Sequence, residues 1–185
     1  MYHIKNDKRA QASSELICAG LLACMKEKPF ARITITDVQH ASTVSRSTFY
    51  RNFDCLEDVL ALLCDRGFQA VFTEYNAPPP EQRGSLAKAV FQYWFRNSAV
   101  LEALVQIHRT DILFDSLRRS SGLIEALQPL ADDPARFDYF VAIITSAMIG
   151  VLTVWVEHGK TETEDQMVQK LTSAFIEMAI LELPG

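Results

Sequence analysis

The 185 residues are 49% apolar and 22% charged, which suits a soluble globular chain and leaves room for one substantial core or a small domain fused to a larger one. Seven glycines and seven prolines are too few for a turn-rich β fold and point to long helices. The net charge of −5 speaks against a polyanion partner until it is divided: residues 1–53 carry eight basic side chains against four acidic ones, net +4, and the rest carries ten against nineteen, net −9. That asymmetry puts any polyanion contact at the N-terminal end.

Helical periodicity runs almost throughout. Asp7 to Lys28 predicts a first helix, with Leu16, Ile17, Leu21, Leu22 and Met25 in its apolar stripe and Pro29 just past its end. Thr36, with Gln39 three residues on, predicts the capping box of a short second helix. Ser42 and Thr43 form the turn, and a short third helix runs from Ser45 to about Asn52. Asp54 and Glu57 mark the start of a long fourth helix, carried to about Tyr75 by Val59, Leu60, Leu63, Phe68, Val71 and Phe72.

Pro78-Pro79-Pro80 breaks the chain between helices. Helices are then expected over Glu81 to Arg96, Ala99 to His108 and Asp111 to about Leu127, with a loop over Pro129 to Pro134. Ala135 to Glu157 is apolar nearly all round, so it needs covering on more than one side. Its uncharged run from Tyr139 to Val156 is just long enough to span a bilayer. The Thr145, Ser146, Gly150 and Thr153 within it favour a buried helix instead, with no membrane partner. A last helix follows overlapping capping boxes at Thr161 and Thr163 and continues to near Leu181. Two long apolar terminal helices bury more surface than one copy offers, which predicts a symmetric four-helix dimer contact. Ser146, Gly150, Leu171, Phe175 and Met178 are the candidate interface residues.

The polar N-terminus lacks the apolar run of a secretory signal, so a cytoplasmic location with reduced thiols is expected for Cys18, Cys24, Cys55 and Cys64. None of these forms a metal-spaced pair, and neither metal nor cofactor is expected. Four scattered histidines, with no nucleophile triad and no phosphate-cradling loop, exclude an enzyme reading.

A short helix, a tight turn and a second short helix within the basic stretch make a helix-turn-helix pattern. Ser45, Arg46, Ser47 and Thr48 open its second helix with donors suited to phosphates and base edges. Phe49 and Phe53 should pack inward, leaving Tyr50 and Arg51 outward. Ile33 to Gln39 (ITITDVQ), Ser45 to Phe53 (SRSTFYRNF) and Asp54 to Leu60 (DCLEDVL) together resemble the DNA-binding signature of TetR-family regulators. The resemblance is close over Ala12 to Leu63 and architectural beyond.

It implies an all-α fold of about nine helices. A three-helix DNA-binding domain (1–54) would be joined by the long fourth helix to an effector-binding and dimerisation bundle (55–185). It also implies double-stranded operator DNA as partner, contacted by Thr34, Thr36, Ser45, Arg46, Ser47, Thr48, Tyr50 and Arg51, and a homodimer released from DNA by a small-molecule effector. Phe91, Phe95, His108, Arg109, Phe114, Tyr139 and Trp155 are candidates for the effector pocket. Arg109 has a competing role as a surface partner of Asp111 or Asp115.

Two positions depart from the family pattern. Ser42-Thr43 stands where the turn usually has Ala-Gly, and Leu56 stands where a phosphate-contacting Lys is usual. They leave room for a protein-binding co-activator as the rival reading. A constitutive or redox-gated repressor with no small ligand is a second rival, the redox case resting on Cys55 at a helix N-terminus.

Overall fold

The computed structural model describes residues 2–130 and 132–181. Among them are nine α-helices, four short 3-10 segments and no strand. Helix α1 (Lys8–Glu27) starts where the Asp7 carboxylate accepts from the Ala10 amide at 2.8 Å, an N-cap that satisfies one orphan donor. It buries Ile17, Cys18, Gly20 and Leu21 and ends before Pro29.

Helix α2 (Ile35–Ser42) starts at Thr34, not at Thr36. Thr34 Oγ1 accepts from the Asp37 amide at 3.2 Å, and the Asp37 carboxylate accepts from the Thr34 amide at 2.7 Å. Of the two overlapping boxes this one wins because it puts Ile33 before the cap and Val38 in the second turn, and both are buried in the core. Gln39, the expected partner of Thr36, leaves its buried Nε2 without a hydrogen bond.

Helix α3 (Arg46–Asn52) follows a turn in which Thr43 is left-handed, φ 57° and ψ 18°. The turn therefore keeps the backbone that glycine would favour, with a β-branched residue held in it. A Cβ added at Gly20 would lie 2.8 Å from Ser42 Cβ, so α1 and α2 touch where both residues are small.

Helix α4 (Leu56–Asn76) begins one residue later than the Asp54 cap suggests, with Cys55 at the N-cap position. The Asp54 amide instead donates to the Asp58 carboxylate at 2.9 Å. At about 1.5 Å per residue its 21 residues span roughly 30 Å. It packs on α1 at the N-terminal end of the chain and on α5, α6 and, most extensively, α7 beyond it.

Helix α5 (Leu86–Arg96) starts later than Glu81, because Ser85 Oγ caps it by accepting from the Lys88 amide at 3.2 Å. Pro80–Gln82 forms a 3-10 turn before it. Helix α6 (Ser98–Gln106) follows the break at Asn97. Helix α7 (Asp111–Ser120) stops short of Leu127. Ser120-Ser121-Gly122 are weak helix formers, and the chain tightens into 3-10 segments over Ser121–Leu123 and Glu125–Leu130. Of the loop expected from Pro129 to Pro134, Pro129 and Leu130 end a 3-10 segment, Pro134 opens the next helix, and residue 131 lies outside the described residues.

Helix α8 (Pro134–Glu157) has Asp133 as N-cap and Pro134 in its first turn, where a missing amide costs nothing. A left-handed Gly159 and Lys160 turn the chain into helix α9 (Glu164–Leu181). The Thr163–Gln166 box caps α9 from both sides, at 2.8 and 3.4 Å.

One continuous core runs through the molecule. Ile17, Leu21, Val38, Phe49 and Phe53 fill it among α1, α2 and α3. Phe68, Phe72, Trp94, Leu101, Leu104 and Leu113 fill it among α4 to α7. Gly67 lets Tyr93 of α5 lie against α4, since a Cβ there would stand 2.7 Å from the tyrosine ring.

Candidate nucleic-acid interface

The short third helix has two unlike faces. Phe49 and Phe53 are buried with ring centres 5.8 Å apart, and Asn52 is buried with its amide donating to the Thr48 carbonyl at 2.8 Å. Ser45, Arg46, Ser47, Tyr50 and Arg51 are exposed, and Thr48 is partly so. The i, i+4 spacing of α3 puts Arg46 over Tyr50. The guanidinium carbon is 5.4 Å from the ring centre, and Nη2 donates to the phenol oxygen at 3.3 Å. The pair forms one flat, cationic, hydrogen-bonding patch.

Ser45 is the N-cap of α3, accepting from the Thr48 amide at 3.3 Å. Its oxygen also lies 3.0 Å from both Ser47 Oγ and Thr48 Oγ1. Three hydroxyls therefore cluster where the helix dipole is positive, a place that favours an anion. Thr34 and Thr36 are also exposed, at the start of α2. Thr34 Oγ1 is committed to Asp37, to which it donates at 2.7 Å.

Asp37 is the acidic residue of this region, and it is neutralised locally. Lys28 Nζ lies 2.7 Å from its carboxylate. The Lys28 ammonium, with the Thr34 hydroxyl and amide, holds that carboxyl well below the usual range. Arg32, Arg46 and Arg51 carry the surrounding positive charge. Leu56, where a lysine was a family expectation, is buried and adds no cation.

The thiols give no support to a redox switch. Burial is the leading cause that pushes each of Cys18, Cys24, Cys55 and Cys64 up, Cys18 to about 11. At Cys55 burial pushes the thiol up, the Asp58 amide at the helix terminus pulls it down, and the Glu57 and Asp58 carboxylates push it up again, so the helix-terminus effect is outweighed.

Of the seven residues expected around an effector, Phe95 and Trp155 meet, and the others are scattered. Phe91 is fully buried in the core. Phe95 stacks on Trp155 at 4.1 Å, and the Trp155 indole donates to the Glu162 carbonyl at 3.1 Å. His108 is left-handed in the α6–α7 turn. Arg109 pairs with Asp111 at 2.9 Å on the surface. Phe114 is partly buried, and Tyr139 is 74% exposed. An apolar cavity of 210 Å³ lies elsewhere, bounded by Phe72, Val90, Leu117, Ile124, Val141 and Met148. These residues sit in ordinary apolar stripes, so nothing in the sequence separates cavity wall from solid core.

The five candidate interface residues do come together. Ser146, Gly150, Leu171, Phe175 and Met178 line one open apolar groove of 780 Å³ between α8 and α9. A Cβ at Gly150 would meet nothing within 4 Å. Ile143, Val154 and Ile176 are also exposed, so α8 is not covered on most sides by its own chain. By length and composition alone α8 could cross a membrane.

The family model described as transcriptional regulator C-terminal region, of TetR type, matches residues 85–177. No curated protein matches the chain. Two solved structures share its fold. Lin0861 from Listeria innocua aligns with a TM-score of 0.72 at 17% identity, over 95% of this chain and 96% of the other. A TetR transcriptional regulator from Streptococcus agalactiae aligns with a TM-score of 0.59 at 18% identity, over 91% and 96%.

Proposed function

The chain belongs to the TetR family of transcriptional regulators, and on that premise we propose that it is a homodimeric repressor that binds operator DNA through α3 and is released by a small effector. The observation that carries the reading is the two-faced α3. Its aromatic anchors Phe49 and Phe53 are buried, while Ser45, Arg46, Ser47, Tyr50 and Arg51 face out from the basic end of the chain. Thr34, Thr36 and Thr48 complete the contact set in this reading. Residues 1–54 act as the reading domain, and 55–185 as the regulatory and dimerisation part.

The α8–α9 groove supports the dimer. Its exposed aliphatic residues, with the open space over Gly150, suit a second copy related by a two-fold axis. Such a dimer would cover the apolar face of α8 without a membrane and leave the protein in the cytoplasm, with the DNA. The two copies of α3 must then sit about 34–36 Å apart to enter successive major grooves.

For the effector, the 210 Å³ cavity between α4, α5, α7 and α8 is the better candidate site than the seven expected residues. Its lining is almost wholly apolar, which suits a small uncharged molecule. An effector acts only through its preference for one of two arrangements of the reading heads.

The test is fluorescence anisotropy against duplex DNA from upstream of the chain's own gene, over a salt series. Wild type should bind in a sequence-specific, salt-sensitive manner. Arg46→Ala and Tyr50→Ala should each abolish binding, while size-exclusion chromatography shows an unchanged dimer. Undiminished binding by both variants would remove α3 from the interface. Absence of binding by the wild type, with an intact dimer, would favour the protein-binding co-activator.

A further inference from the structure

The segment before α1 holds none of the DNA-contact residues named above, yet it ties three elements together. The His3 amide donates to the carbonyl of Asn52 at 3.0 Å. Asn52 is the last residue of α3, and its carbonyl is one that a helix end leaves without an internal partner. One residue earlier, the Tyr2 hydroxyl donates to Asp65 Oδ2 at 2.5 Å. Asp65 lies in the middle of α4. Its other oxygen, Oδ1, accepts from Arg119 at 2.8 Å and from the Ser116 hydroxyl, both on α7.

The next residue of α4 reaches the opposite way. Arg66 Nη2 donates to Ser14 Oγ on α1 at 3.0 Å, and Nη1 to Cys18 Sγ at 3.8 Å. Two consecutive α4 residues therefore hold α7 and the N-terminal segment on one side and α1 on the other. Burial first, and then the bond to Asp65, push the Tyr2 hydroxyl up to about 12, so it remains a donor.

We infer that Tyr2 and Asp65 are positioning residues for α3, and that the N-terminal segment is a strap passing a shift of α7 against α4 to the C-terminal end of that helix. The regulatory meaning rests on α3 being the DNA-reading helix, but the mechanical link does not. A displaced α7 withdraws Arg119 and Ser116 from Oδ1, frees the Asp65 carboxylate, and loosens the strap that holds the Asn52 carbonyl.

The link is tested by hydrogen–deuterium exchange of the full chain, read by mass spectrometry. Tyr2→Phe removes only a hydroxyl, and Arg119→Gln changes only the α7 partner. Both should speed exchange of the α3 amides by about 2- to 10-fold, the factor for one lost hydrogen bond, with α2, α8 and α9 unchanged. Asp65→Asn should give the same pattern, because the amide keeps one acceptor oxygen for the three donors from Tyr2, Ser116 and Arg119. Wild-type exchange at α3 in Tyr2→Phe, or a rise shared equally by every helix, overturns the strap. An effect of Tyr2→Phe without one of Arg119→Gln overturns its connection to α7. Amide exchange does not depend on any DNA, so failure of the link and failure of operator binding are separate results.

Discussion

Replacing Thr43 with glycine should stabilise the protein. Thr43 is exposed and left-handed, at φ 57° and ψ 18°, where a Cβ crowds the following carbonyl. That conformation costs an ordinary L-residue roughly 1–2 kcal/mol, and a β-branched one is at the upper end. Glycine removes the clash but gives back roughly 0.5–1 kcal/mol, because its unfolded chain has more freedom to lose. At that upper end the net gain is about 1–1.5 kcal/mol. For a chain of this size that corresponds to a rise of about 2–6 °C in Tm. Thr43→Ala keeps the Cβ and is the control, expected within about 0.5 kcal/mol of wild type. Thermal unfolding followed by circular dichroism, at one protein concentration, compares the three. A Tm for Thr43→Gly at or below that of Thr43→Ala would refute the claim that this turn holds backbone strain.

Gly67→Ala should destabilise by about 1–3 kcal/mol in urea unfolding, since its methyl would stand 2.7 Å from the Tyr93 ring, and Tyr93→Leu should recover part of the loss. The depressed Asp37 carboxyl makes stability depend on pH in one direction. Its contribution is present above the unfolded value of about 4 and is lost as pH falls toward the lower folded value. Wild type should therefore exceed Asp37→Asn in urea midpoint at pH 6, and the gap should close progressively below about pH 4. Ile143→Glu lies on an exposed site of the lone chain and should leave the fold intact, but it places a charge in the proposed dimer contact. Light scattering should show a monomer, and an intact dimer would exclude the α8 face. With Leu56 in place of a lysine, the slope of log affinity against log salt should be shallower than that of a relative carrying the cation.

Most of the architecture was legible before any coordinates, because helical periodicity is a local signal and the strong caps are local too. Thr163 with Gln166 and the break at Asn97 both act within four residues of themselves. The wrong boundaries have two causes. The sequence pointed to the Thr36–Gln39 box, and the burial of Ile33 and Val38 on either side of the Thr34 cap moved the start of α2. The end of α7 and the start of α5 follow local signals that the periodicity outweighed, the weak helix formers Ser120-Ser121-Gly122 and the Ser85 cap. The outward set on α3 could be read because Phe49 and Phe53 are four apart, which fixes one face inward. Contacts between distant segments left no such trace. Tyr2 meets Asp65 across 63 positions, and nothing near either residue announces the other.

Alone, the sequence determined a helical chain with a basic helix-turn-helix at one end and two apolar helices at the other, since spacing and composition are properties of neighbours along the chain. The tertiary structure decided which apolar residues became cavity wall, groove or solid core. It also decided that Cys55 is a disfavoured thiolate and that Asp65 joins the N-terminal segment to α7, because burial and charge proximity exist only once the helices have packed.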